Sequence, residues 1–369
     1  MAEQKRLYTF ALLLLVVFGF GQGAARPRTA TAPPHAKFIA RVNAKFVQID
    51  LPGGVDDTQP GTQLDAINDR GQVIGTTGTR AFLWERGTCT RIRVPGPTDT
   101  VFPSAINDRG QVAGSYYGRF PGSRGFVLSA GAYTTVAFPR ARDGWQGPTS
   151  LLGIDSQGRC VGGYEDKRAF RHGFVWGRGA FTPIAPPVAE GRDVYALGIN
   201  DAGQVVGCYY DVSARGHGFV LGRGGYATLD YPDPDTNTTA RVITGSGRVL
   251  GEVESIAPRH GPAAQGWGFL WWQGAFTRIT FPGATRTVPT GVNDRGQVVG
   301  WYSNGRGPRH GFLFNGAAYT RIDYPGATET ELAGVNGRGQ VIGMYRRLPA
   351  GRHKSSSNPG VEHGFLWTP

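Results

Sequence analysis

Cysteine is scarce: Cys89, Cys160 and Cys208 are the only three in 369 residues. That excludes a disulfide-stapled scaffold and leaves at least one thiol unpaired within the chain. None has metal-ligand spacing to its neighbours, so no metal site is expected. Long apolar runs are as rare, and residues 7–20 form the single one. It is short of the about 20 residues that a bilayer span takes, so the mature chain is expected to have no membrane span. Acidic residues number 27 against 39 Lys and Arg, a net charge of +12. No G-x-S-x-G, H-E-x-x-H or phosphate loop is present, so the commonest hydrolytic and nucleotide chemistries lack their motifs. No cofactor is expected.

The short apolar run reads as a secretory signal. Lys5 and Arg6 precede it, small residues at Gly23 and Ala25 follow, and no Cys stands there to take a lipid. Residues 1–25 are assigned to the signal and 26–45 to a linker, and a secreted or extracytoplasmic location is expected. An uncleaved N-terminal anchor is the alternative. Export turns the reading of the basic charge away from nucleic acid and toward an extracellular glycan, an anionic surface or a partner protein.

What the chain has in abundance is glycine, 58 residues, and a phrase written seven times. The copies are INDRGQVIG (67–75), INDRGQVAG (106–114), IDSQGRCVG (154–162), INDAGQVVG (199–207), ITGSGRVLG (243–251), VNDRGQVVG (292–300) and VNGRGQVIG (335–343). Repetition at about 40–50 residues signals an array or a ring of small β units. Each copy reads as a hairpin. A short apolar strand enters, the glycine supplies the positive φ of a tight turn, and a second strand leaves. Asp in the turn is expected to bond the backbone a residue or two on. A calcium loop needs more oxygen ligands than a copy supplies.

A second hairpin follows each first one, built from AFLW, GFVL, GFVW, GFVL, GFLW, GFLF and GFLW and a partner such as TRITFP or TRIDYP. Each unit therefore has four strands, a to d. The last unit ends after GFLW at 364–367 with no fourth strand, and an orphan fourth strand, FVQIDLPG, stands at 46–53. Six whole units and one split between the ends make seven. The fold class expected is all-β: a seven-bladed β-propeller over 46–369, its N-terminal strand completing the blade formed by 333–369. Adjacent apolar pairs such as Val298-Val299 suit strands covered on both faces.

The recurring G-[IV]-N-D-x-G-Q-V-V-G and H-x-F-L-W phrases resemble those of the HAF-repeat family of extracellular bacterial repeat proteins. The resemblance covers residues 64–369 and implies export and a repeated β fold rather than a defined activity. This chain writes H-G-F where the family typically has H-A-F. Unit 1 has Arg80 at the His position, and unit 5 lacks Asn-Asp.

Antiparallel pairing of strands c and d sets His310 opposite Asp323, His217 opposite Asp230 and, across the closure, His363 opposite Asp50. Three such pairs spread around a ring cannot converge on one substrate, so they are read as structural. The a–b and c–d turns share one face. The b–c and d–a connections share the other and carry the variation in length, which makes that face the expected place for recognition. Tyr116, Tyr164, Tyr209, Tyr302 and Tyr345 open the b–c loops, with Arg119, Arg306 and Arg346 following. Aromatic and guanidinium groups together suit sugar rings, carboxylates and phosphates; packing of each blade is the other role for the tyrosines. The chain is thus read as a non-catalytic binding protein. The alternatives are a carbohydrate-active hydrolase or lyase using the loop carboxylates Glu165, Asp166, Glu252 and Glu254, and a scaffold without a specific ligand. Paired carboxylates are what glycoside cleavage needs. Asp65 and Glu331 stand on inner strands as isolated acids.

Overall fold

The computed structural model describes residues 45–51, 61–96, 100–117, 122–139, 147–187, 193–256, 266–305, 307–347 and 361–369. The residues assigned from sequence to a signal and a linker, up to 44, lie outside them, as do Arg119 and Arg306. The described residues form 28 strands in seven antiparallel four-stranded sheets and no helix. Strand β1 is Lys45–Ile49. Blade 1 holds β2 to β5 (Thr62–Ile67, Val73–Thr77, Arg80–Glu85, Thr88–Arg91). Blade 2 holds β6 to β9 (Val101–Ile106, Val112–Tyr117, Ser123–Ser129, Ala132–Val136). Blade 3 holds β10 to β13 (Thr149–Ile154, Cys160–Glu165, Arg171–Gly177, Ala180–Ile184). Blade 4 holds β14 to β17 (Val194–Ile199, Val205–Tyr210, Gly216–Gly222, Gly225–Thr228). Blade 5 holds β18 to β21 (Thr236–Ile243, Val249–Ser255, Trp267–Trp272, Ala275–Ile279). Blade 6 holds β22 to β25 (Arg286–Val292, Val298–Ser303, His310–Phe314, Tyr319–Ile322). Blade 7 holds β26 to β28 (Glu329–Val335, Val341–Arg347, Val361–Thr368), with β1 as its outer strand.

The ring closes as the split unit requires. Phe46 pairs with Trp367, Val47 with Leu366 and Gln48 with Phe365. The closing strand starts one residue earlier than 46 and ends at Ile49, four short of 53, while the blade it completes begins at Glu329 rather than 333. Ile49 is buried in a core shared with Leu64, Val73 and Phe82 of blade 1. The Phe46 ring lies 5.2 Å from Tyr324 and 5.5 Å from Phe365. Cys89 Sγ of blade 1 donates to Asp50 O at 3.4 Å. All three cysteines are free, and burial pushes the Cys160 and Cys208 thiols up to about 12 and about 11.

The middle strands are covered on both sides, as the doubled apolar residues require: Val298, Val299 and Phe312 have no exposed surface, and Leu313 has 8%. One Phe per blade, from Phe82 through Phe365, fills the space between sheets. Every first strand carries a bulge, after Leu64, Pro103, Leu151, Ala196, Ala240, Pro289 and Leu332. The final glycine of the repeated phrase accommodates it. A Cβ on Gly207 would stand 1.8 Å from Tyr195 O, closer than any side chain tolerates.

The repeated phrase has a second purpose, which joins the blades. Asn68 Oδ1 accepts the amides of Arg70 and Gln72, closing its own turn, while its Nδ2 donates to Gln72 Oε1 and to Asn107 O of the next blade. Asn107, Asn200, Asn293 and Asn336 likewise donate to the next blade's carbonyl at Asp155, Thr244, Asn336 and Asn68. Blades 3 and 5 lack the Asn, and there an Arg replaces the Gln. Arg159 Nη2 reaches Asp201 O at 3.4 Å, and Arg248 Nη1 reaches Asp294 O at 3.1 Å. A donor thus crosses every boundary of the ring. Asp155, in the Asn position of its turn, bonds its own backbone as expected, accepting the amides of Gln157 and Arg159. The Asp that follows the Asn in other turns bonds the preceding blade instead: Asp108 accepts from the Asp69 amide, Asp201 from Ser156, Asp294 from Ser246 and Asp69 from Gly337.

Candidate functional site

The His–Asp pairs lie where the strand register sets them. The distances from Nδ1 to Oδ2 are 2.8 Å for His217–Asp230 and 2.9 Å for both His310–Asp323 and His363–Asp50. They occupy blades 4, 6 and 7 and share no common space. His172 lacks an Asp on the outer strand and takes Asp166 from its own b–c turn, Nε2 to Oδ2 3.0 Å. Asp211 makes the equivalent contact with His217 at 3.3 Å.

The five tyrosines are not loop residues. Each sits in the second strand of its blade, and Tyr164, Tyr209, Tyr302 and Tyr345 pair with the His of the third. Tyr116, Tyr209, Tyr302 and Tyr345 are buried, Tyr345 to 2% exposure. Their faces are already covered: Tyr164 stacks on Phe138 at 3.6 Å, Tyr302 on Phe281 and Tyr345 on Tyr324, both at 3.7 Å. The rings of Tyr164, Tyr302 and Tyr345 are thus engaged in packing within their blades. Arg346 is engaged as well, with Glu329 at 3.3 Å and Glu362 at 3.5 Å.

The four candidate carboxylates also stand in strands or tight turns. Glu165 ends β11 and pairs with Arg171 at 2.9 Å. Asp166 closes a turn by accepting the amides of Arg168 and Phe170. Glu252 and Glu254 lie within β19, and Glu252 pairs with Arg241 at 3.0 Å. Blade 4 separates the first pair from the second, so the two do not face each other as a catalytic dyad.

Burial raises the Glu254 carboxyl above its ordinary value, and the neighbouring Glu252 adds to the shift, against a hydrogen bond with Asn237. The folded chain therefore holds a proton through a pH window in which the unfolded chain has lost it. Stability falls as pH rises through that window. Glu254→Gln should raise the melting temperature at neutral pH, with the gain vanishing below about pH 4, where both states are protonated. Melts across that range check it.

The convergent polar groups are at the centre of the ring. First strands of neighbouring blades touch there, and a cavity of about 140 Å³ is lined by blades 1, 5, 6 and 7. Asp65, Arg241, Thr290 and Ala333, the extra residues of four bulges, all line it, with Glu252, Trp301 and Glu331. Asp65 and Glu331, isolated in the sequence, are thus brought onto one cavity with Glu252. Glu331 pairs with Arg309 at 2.5 Å, and Arg309 and Arg286 lie 4.6 and 4.9 Å from the Trp301 ring centroid. Asp65 Oδ2 is sealed from solvent with no hydrogen-bond partner, and burial holds its carboxyl well above the usual range. Among the described residues no group of three or more His, Cys, Asp or Glu is arranged to hold a metal ion. No described helix is long and apolar enough to cross a membrane.

No family model and no curated protein matches the chain, so the HAF-repeat resemblance rests on the quoted phrases alone. Solved structures do match. The β-propeller domain of the trilobed protease from Pyrococcus furiosus, with an open velcro topology, is similar at 10% identity over 83% of this chain and 95% of that one, with a TM-score of 0.55. YCF48 bound to a D1 peptide is similar at 9% identity over 90% and 97%, with a TM-score of 0.50. At such identities the likeness is one of fold. The chain is a seven-bladed β-propeller, here closed by β1 on β28.

Proposed function

We propose that the chain is an exported, non-catalytic binding module that takes an anionic extracellular polysaccharide on the face of its b–c and d–a connections. One observation carries this reading. The opposite face is built from repeated turns whose Asn and Asp side chains are committed to one another around the ring. Connections of unequal length and composition fall on the other face, where Arg and Lys outnumber Asp and Glu, most strongly in 345–362. Cleavage is disfavoured because Glu165 and Glu252 each hold an Arg and stand in different blades. Export rests on the basic start and apolar run of residues 1–25.

The test is retention on immobilised anionic and neutral polysaccharides, with new reducing ends assayed in the same tubes. We expect retention on the anionic polymers alone, without new ends, and its loss as salt approaches about 1 M, where the screening length is about 3 Å. Equal retention on neutral polymers would contradict the reading, as would no retention at all. New reducing ends that disappear in Glu252→Gln would make the protein a hydrolase or lyase instead.

A further inference from the structure

We propose that the central cavity is a binding site for a short aliphatic amine, whose ammonium group is received by Asp65. The inference does not depend on the glycan reading, which concerns a different face. The cavity holds three carboxyl groups. Two are compensated within the ring, Glu252 by Arg241 at 3.0 Å and Glu331 by Arg309 at 2.5 Å. Asp65 has no such partner. Its Oδ2 is enclosed and accepts no hydrogen bond, and burial raises its pKa.

A buried carboxyl on a cavity wall, in a ring whose other cavity acids are neutralised, is matched by one added positive charge that brings N–H donors. The rest of the lining fixes the body of the ligand. Val288 and Met344, both only partly buried, offer apolar surface to an alkyl stem, while Gln63 is a polar lining residue next to Leu64. Trp301 is 7% exposed and has two guanidinium groups against its ring, so it offers little surface for stacking a sugar. Thr290 donates its hydroxyl to backbone oxygens, at 2.7 Å to Leu332 O. The bulge is what allows Asp65 to stand there. It is the extra residue between Leu64 and Ala66, outside the pairing of β2 with β3.

Because burial holds Asp65 toward its protonated form, an ammonium ligand must displace that proton. Binding should release protons and strengthen as pH rises. Arg241, Glu252, Arg286, Arg309 and Glu331 are the other charged groups about the cavity; Arg241 and Arg309 pair with the two glutamates and Arg286 lies over Trp301, so Asp65 is the carboxyl left without a partner.

The experiment is titration calorimetry of the mature chain with n-butylamine, and with n-butanol as the neutral isostere, in two buffers of different protonation heat. We expect the amine to bind at least about tenfold more tightly than the alcohol, with a buffer-dependent heat that reports proton release. Asp65→Asn, which keeps the shape, should cost about tenfold or more in amine affinity. Equal affinity for amine and alcohol, undiminished binding to Asp65→Asn, or no binding by the parent would each overturn the proposal. If Asp65→Asn does not fold, Ala333→Leu decides. It fills the cavity from the blade 7 bulge with Asp65 intact, and it should abolish amine binding; retained affinity would overturn the proposal.

Discussion

Deleting residues 45–51 should lower the melting temperature by about 10 °C, from the loss of the buried Ile49 at about 1.5–3 kcal/mol and of the partly buried Phe46, Val47 and Leu51 at less each. The chain would lose Ile49, 1% exposed, from the core between blades 7 and 1, and the Phe46 ring from its contacts with Tyr324 and Phe365. It would also lose the hydrogen bonds of β1 to β28, exposing an unpaired edge along Gly364–Thr368. Such an edge recruits other chains, so self-association should rise along with instability. Thermal melts and sedimentation of the chain with and without residues 45–51 check both. An unchanged melting temperature would mean that the closing strand contributes little to the ring.

The second large effect belongs to the belt of turn side chains. Asn336, 3% exposed, accepts the amides of Arg338 and Gln340 and donates to Gln340 Oε1 and to Asn68 O. Asn336→Ala leaves several of these groups without a partner, and stability should fall by about 3 kcal/mol. The chain contains its own compensation. Where Asp155 replaces Asn, Arg159 replaces Gln, binds Asp155 at 2.5 Å and reaches across to Asp201 O. Asn336→Asp and Gln340→Arg should therefore each destabilise alone, and the double variant should recover part of the loss, with a coupling of about 1 kcal/mol or more. Urea unfolding of the four proteins measures it. Strict additivity would show that the exchange at 155 and 159 is unrelated to the blade junction.

Much of this fold was legible in the sequence because its unit is short and repeats. The turn glycine, the doubled apolar residues and the missing last strand each have one physical meaning, and together they determine blade number, register and closure. The His–Asp contacts followed from that register, since strand pairing fixes which residues stand opposite. The tyrosines did not. In a strand covered on both faces no alternation marks its end, so Tyr116, Tyr164, Tyr209, Tyr302 and Tyr345 read equally well as the first loop residue or the last packed ones. The function of Asn against Asp in the turn was hidden because its partners lie one blade away, 39 residues for Asp69 and Asp108 and 268 for Asn336 and Asn68.

The cavity was hidden for a related reason. Asp65 and Glu331 come from opposite ends of the chain, and only closure makes their blades neighbours. A signal was nonetheless present. Asp65, Arg241, Thr290 and Ala333 all stand two residues before the Ile or Val that opens the repeated phrase. Alignment of the seven copies on that position assigns them to one layer at the centre of a ring, an inference that needs the bulge to turn the extra side chain inward.

The proposed division of the ring into a bonded turn face and a recognising loop face is tested most directly by removing equal charge from each. One variant replaces Arg70, Arg109, Arg295 and Arg338 of the turns by Ser; the other replaces Arg119, Arg306, Arg352 and Lys354 of the connections. Retention on an anionic polysaccharide is then measured at one salt concentration. The account predicts loss in the second variant and retention in the first; equal loss in both, or loss only with the turn residues replaced, would contradict it.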